Sequence, residues 1–148
     1  FLASIPALGT LTELRAALTE AETAVSGGVS PRVSPFPELR DCAGLLQRAG
    51  FALPVADIED ISIAYADPFA LLRDLRAAGE ANAVRLRDRR VPDRAMFPTA
   101  VAALPERDGR VPATLRMAML TGWAGASTPP PTGGRVPPSI VVSEGNIQ

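Results

Sequence analysis

The 148-residue sequence predicts an α/β fold, and three observations carry that prediction. Apolar stretches with strand character open the chain at Phe1–Ile5 and recur at Leu53–Tyr65 and Ala113–Trp123. Between them lie segments whose apolar residues recur at intervals of three and four, the helical period. The composition, 47% hydrophobic and 21% charged, is that of a chain able to bury a core.

Taken in order, Phe1–Ile5 reads as a strand. Thr10-Leu-Thr-Glu13 then has the spacing of a capping box, in which a threonine and a glutamate satisfy each other's backbone N–H groups. Leu11, Leu14, Leu18, Ala21 and Val25 extend it into an amphipathic helix stopped by Gly27-Gly28. A turn-rich stretch from Val29 to Pro37 leads to a second helix from about Glu38. Leu39, Ala43, Leu46 and Ala49 lie on its apolar side, and Glu38, Arg40, Asp41 and Arg48 on the exposed one. In the next strand Ile61, Ile63 and Tyr65 alternate onto one face. Asp67-Pro68 is an N-cap followed by an N1 proline, opening a third helix through Phe69, Leu72, Leu75 and Arg76 to Gly79. Phe97, Ala100, Val101 and Leu104 mark a short helix disturbed by Pro98 and closed by Pro105. Asp108-Gly109 is a turn, and Leu115, Met117 and Met119 alternate against Ala118 and Leu120 along the last strand. Residues 124–148, rich in Pro and Gly, are expected to form an extended, flexible tail that includes Gly133-Gly134.

Composition excludes several chemistries. There is no His, so no His-dependent triad or His metal site resides in this chain. Cys42 stands alone, ruling out an intrachain disulfide or a cysteine zinc cluster. The net charge of −1 argues against nucleic acid as the main partner, because phosphate-backbone binding needs a positive field. No apolar run approaches the roughly 20 residues of a membrane span. Every basic residue is Arg, which with abundant Ala, Pro and Val indicates a GC-rich bacterial genome, and a cytoplasmic protein is expected. The opening on an apolar strand, with neither an initiator Met nor the pattern of a signal peptide, reads as a cut through a longer protein.

Five segments in this order carry a more specific resemblance: Thr10-Leu-Thr-Glu-Leu-Arg15, Ser34-Pro-Phe-Pro-Glu-Leu39, Arg48-Ala-Gly-Phe51, Asp74 to Asn82, and Asp108-Gly-Arg-Val-Pro-Ala-Thr114 running into Gly122-Trp123. They resemble the C-terminal half of class I S-adenosylmethionine-dependent methyltransferases. The similarity is to the methyltransferase-like family that includes complex I assembly factors and, more distantly, to the malonyl-carrier-protein methyltransferases of biotin synthesis. The resemblance implies a Rossmann-like sheet of which Phe1–Ile5 is the fifth strand, Leu53–Tyr65 the sixth and Ala113–Trp123 an antiparallel seventh. Residues 66–110 would be a helical insertion capping the substrate cleft, and residues 1–123 the methyltransferase-like part as a whole. It further implies S-adenosylmethionine in the full-length parent, held by elements this chain lacks, so that no cofactor is expected on the chain itself and the half alone is expected to be inactive.

No catalytic residue and no metal ligand is assigned. Four residues are candidates for substrate binding. Arg15 follows the fifth strand and offers a bidentate grip on a carboxylate, against the plainer reading of a solvent-facing arginine. Tyr65, at the end of the sixth strand, is either a cleft hydroxyl or a core aromatic. Arg76 and Asn82, with Glu80, lie at the end of the third helix and its exit loop, where helix-end solvation competes with a role in the cap. Asp57, Glu59 and Asp60 read as a polar strand face in preference to a metal site. Arg85, Arg87, Arg89 and Arg90 read as a solvated loop, with phosphate binding as the alternative. Cys42 and Trp123 are expected to pack in the core or at its rim. Two rival functions stand beside methyl transfer: a protein-arginine hydroxylase on the same fold, and a non-enzymatic module that binds an assembly partner. Half a sheet leaves an unpaired edge, so a homo-oligomer formed through that edge is also expected.

Overall fold

A computed structural model describes residues 1–80, 82–85 and 87–125, together with the backbone of Val141–Glu144. The element order is β1 (Leu2–Pro6), α1 (Thr12–Ser26), α2 (Leu39–Arg48), β2 (Ala52–Tyr65), α3 (Pro68–Ala77), α4 (Met96–Ala102), β3 (Val111–Trp123) and β4 (Val141–Glu144). The α/β expectation therefore holds. The strands form one sheet in the order β1-β3-β2-β4. β1 is antiparallel to β3, with Leu2 opposite Thr121 and Pro6 opposite Met117. β4 runs parallel to β2, with Val55 opposite Val141 and Ile58 opposite Glu144. This fourth strand falls within the stretch expected to be a flexible tail. The Pro/Gly-rich run of that stretch, with Gly133-Gly134, lies outside the described residues.

Two compact units share the chain. One comprises Phe1–Thr10, Phe36–Ile61 and the chain from Arg116 onward; the other comprises Leu11–Pro35 and Ser62–Leu115. The core of the first unit is small, built on Ala7, on Cys42, Ala43 and Leu46 of α2, on Ala56 of β2, and on Ala118 and Leu120 of β3. Phe1 and Phe51 add a tilted ring pair at its margin, with centroids 5.0 Å apart. In the second unit, Leu11, Leu14, Leu18 and Ala21 of the α1 stripe bury with Leu71, Met96, Ala100, Leu104, Val111 and Ala113, and α1 packs on α4. β2 and β3 contribute to both cores, and in each strand the inward parity changes between them. β3 buries Val111 and Ala113 in one core but Ala118 and Leu120 in the other.

Two departures from the sequence reading lie in β3. β3 begins two residues before the expected Ala113, and Trp123 is 71% exposed instead of lying in the core or at its rim. It falls on the outward parity of a strand that turns Leu120 and Gly122 inward. Cys42, by contrast, is fully buried. In α4 it is Met96 that is buried, while Phe97 is largely exposed, and Ala49 beyond α2 is exposed as well. The proposed N-cap at Asp67 forms as expected, its carboxylate accepting from Phe69 N at 2.9 Å.

The capping box does not form. Leu11 occupies the N-cap in the left-handed region, φ 53°, with no side-chain cap. Thr10 instead hydrogen-bonds across to β3, its Oγ1 donating to Arg116 O at 2.8 Å and accepting from Arg116 N at 3.0 Å. The Glu13 carboxylate accepts from the hydroxyl of Thr114. Unpaired backbone groups of a neighbouring strand offer better-ordered partners than the first turn of the helix itself. Burial tends to raise the Glu13 pKa, but the hydrogen bonds from Thr114 outweigh it and hold the carboxyl below its usual value.

Gly122 is a tight point in the first unit, because a Cβ there would lie 2.9 Å from Cβ of Phe51. Gly122→Ala is therefore expected to destabilise the protein by about 1–3 kcal/mol through overpacking. Gly28→Ala, where a Cβ meets nothing within 4 Å, should change stability by less than about 0.5 kcal/mol. Denaturant melts of the two variants check the contrast.

Candidate functional site

Arg15, Leu18 and Glu22 recur on α1 at spacings of three and four, so the apolar stripe carries a charged residue one turn to either side of Leu18. Gly27, at φ 67°, ends the helix with its N–H on Thr23 O and lets the chain reverse along this side of α1. The following segment is then held by side chains. Glu22, 4% exposed, accepts from Ser30 N at 2.8 Å, from Ser30 Oγ at 2.9 Å and from Arg32 Nη2 at 2.6 Å. Arg15 donates to Ser34 O at 2.8 Å and to Val33 O at 3.4 Å. Between α1 and this segment lies a cavity of about 320 Å³ lined by Arg15, Leu18, Thr19 and Val29–Val33.

The electrostatics follow from burial. Desolvation alone would raise the Glu22 pKa, but the Ser30 N–H, the Arg32 guanidinium and the Ser30 hydroxyl together hold it below the ordinary carboxylate value. The Arg32 side chain is 15% exposed. Its Nε is a buried donor without a hydrogen-bond partner among the described residues.

The four candidate side chains all belong to the second unit. Arg15 and Asn82 meet the same segment: Asn82 Nδ2 donates to Pro31 O at 2.9 Å, two residues before the carbonyl that Arg15 reaches at Val33. Tyr65 and Arg76 do not join them. Tyr65 packs against the second core with Leu72 and Leu75, and burial together with its hydrogen bond to Asp74 raises its phenol pKa. Arg76 is exposed in the last turn of α3. In the acidic group, Asp60 is held by Arg116 through a two-point contact of 2.8 and 3.0 Å. Among the described residues no group of three or more His, Cys, Asp or Glu side chains is placed to hold a metal ion. The Cys42 thiol is pushed up in pKa by burial and by the neighbouring Asp41 charge, so its reactivity is low.

Glu22, Ser30 and Arg32 were not legible as a site in the sequence. The available signal was a carboxylate four residues after Leu18, next to Ala21 in the apolar stripe, where a charge is stable only with partners.

No protein-family model matches the chain. It is 39% identical over 129 residues to the mitochondrial arginine-hydroxylase NDUFAF5 of Dictyostelium discoideum, a match covering 84% of this chain and 29% of that protein. With human NDUFAF5 the identity is 38% over 117 residues, covering 77% of this chain and 34% of the relative. With the malonyl-(acyl-carrier protein) O-methyltransferase of Xylella fastidiosa it is 34% over 123 residues, covering 81% of this chain and 40% of the relative. The chain is a homologue of methyltransferase-like proteins. It spans roughly a third of the length of these relatives. Among the described residues, no helix is long and apolar enough to cross a membrane.

The buried Glu22 contact sets a pH dependence. Its folded-state pKa is lowered, so its contribution to stability is complete above the unfolded value and is lost as pH falls through the lower folded value. Glu22→Gln should therefore lower stability at neutral pH and flatten the loss of stability below about pH 4.5. Glu22→Ala should cost about 3–5 kcal/mol, because it strands Arg32. Urea melts of the three proteins between neutral and acid pH measure both effects.

Proposed function

We propose that this chain is the substrate side of a methyltransferase-like fold, with β1, β2 and β3 as its fifth, sixth and seventh strands. The observation that carries the reading is homology to methyltransferase-like relatives over about four-fifths of the chain, aligned with only about a third of theirs. The sheet supports it: β3, last of the three in sequence, lies between β1 and β2 and is antiparallel to β1. In this reading residues 66–110 remain a cap over the substrate, Arg15 and Asn82 hold residues 31–34 by their carbonyls beside the substrate, and Tyr65 and Arg76 are further substrate contacts. The parent's partner is a protein substrate or assembly partner. In the isolated chain the outer edge of β1, which pairs with β3 alone among the described strands, is covered by a second copy.

The parent uses S-adenosylmethionine, but the residues present here do not fit that cofactor. The carboxylate and adenosine of S-adenosylmethionine call for a strand-to-helix loop with free backbone N–H groups and glycines that admit them closely. In the loop from β1 to α1 four of the five backbone N–H groups are engaged: Ala7 N donates to Arg116 O, Leu8 N to Pro37 O, Thr10 N to Ala7 O and Leu11 N to Thr114 O. Gly9, at φ 109°, already has the Arg116 side chain 3.0 Å from where a Cβ would stand. No chemical step is therefore assigned to this chain through the cofactor.

Arginine hydroxylation on the same fold is the second reading. It is favoured by relatives named as arginine-hydroxylases, among them the Dictyostelium discoideum and human proteins at 39% and 38% identity.

Calorimetry with S-adenosylmethionine tests the proposal on two proteins: the 148-residue chain, and a chimera in which its residues 1–123 replace the aligned segment of the Xylella fastidiosa enzyme. The chain alone should show no saturable binding, while the chimera should bind. Stoichiometric binding by the chain alone would overturn the assignment.

A further inference from the structure

A second hollow, of about 440 Å³, lies in the second unit and is lined by Arg32, Asn82, Arg87, Asp88, Arg89, Arg90 and Pro92. We propose that it binds a phosphate group carried by a ligand. Its charge points that way. Among the described residues four guanidinium groups line it; Glu22 neutralises Arg32, and Asp88 is the one carboxylate on the wall, leaving two positive charges unbalanced. Asp88 Oδ1 is engaged with its own turn, accepting from Arg90 N at 2.9 Å, and among the described residues neither Arg87, Arg89 nor Arg90 forms an ion pair.

A run of arginines on a loop is ordinarily just solvated. Three features distinguish this one. The hollow has walls from two segments far apart in sequence, since Arg32 precedes α2 whereas residues 82–92 follow α3. Asn82 ties those walls together, donating to Pro31 O at 2.9 Å while its Oδ1 accepts from Val84 N at 3.1 Å. Arg87 is half-buried and folded back, with Nη1 on Val84 O at 3.2 Å, and Arg32 is fixed by Glu22. The charges are thus partly ordered before a ligand arrives, which lowers the entropy cost of binding.

The ligand class follows from geometry and charge. Guanidinium forks match the several oxygens of a phosphate, and two surplus positive charges match a phosphate dianion better than a single carboxylate. A nucleic-acid backbone is a poorer fit, because the whole chain carries a net charge of −1 and the positive charge is confined to one hollow. Arg89 and Arg90 are exposed, so binding is expected to weaken as salt rises.

The test is a titration of the 148-residue chain with inorganic pyrophosphate and with O-phosphoserine, followed by amide NMR shifts at constant ionic strength. Saturable shifts at Asn82, Val84 and Arg87–Arg90 are expected, and the double variant Arg89→Gln/Arg90→Gln should weaken binding at least about tenfold. Arg40→Gln, at an exposed site on α2, should leave the affinity unchanged. Tighter binding of pyrophosphate identifies a diphosphate on a small molecule, and comparable binding of O-phosphoserine identifies a phosphate monoester. Saturation by neither compound, shifts that follow ionic strength alone, or equal affinity in the Arg89/Arg90 double variant would overturn the proposal. The melting temperature of each variant separates lost binding from lost folding.

Discussion

A carboxylate removed from water must be met by hydrogen bonds, and in the second unit that demand is made by Glu22. Its oxygens collect Ser30 and Arg32, so the chain leaving α1 turns back along the helix instead of departing from it. Arg15, two turns earlier, completes the attachment through the carbonyls of Val33 and Ser34. The position of Arg32 on the walls of both cavities is a consequence of that one buried carboxylate. Exposed ion pairs such as Arg73–Asp67 have no comparable role, because water competes for both partners.

Much of the fold was legible in the sequence because local and global preferences agree there. The α1 stripe, the stop at Gly27, the helix from Leu39 and the Asp67-Pro68 start all appear as patterning predicts. The failures occur where tertiary partners override local chemistry. Thr10 and Glu13 have capping-box spacing, yet both turn to β3. Trp123 has the composition of a core residue but the wrong parity for its strand. β4 lies within a stretch whose composition suggests no regular structure, and its pairing with β2 is a long-range contact that no local pattern announces.

For the candidate site, residue type was legible and role was not. Arg15 and Asn82 stood out as polar groups in resembling segments, and they reach the same stretch of chain through its carbonyls. Their partners are backbone oxygens, which carry no residue-type signal in a sequence. The arginine-lined hollow arises in the same way, since it needs Arg32 to be brought to residues 82–92. Homology then supplies what geometry alone does not: relatives named as an arginine hydroxylase and as an O-methyltransferase share this segment. Relatives named for two chemistries share this one segment, so the segment's fold does not by itself dictate either.

The proposed division of labour, with the cofactor held outside this chain, rests on the loop between β1 and α1, where four of the five backbone N–H groups, those of Ala7, Leu8, Thr10 and Leu11, are already paired. Hydrogen exchange at Ala7, Leu8, Thr10 and Leu11, measured with and without S-adenosylmethionine, tests it most directly. Slow exchange at all four amides, unchanged when the cofactor is added, is the expected result. Fast exchange that becomes protected on adding S-adenosylmethionine would contradict it.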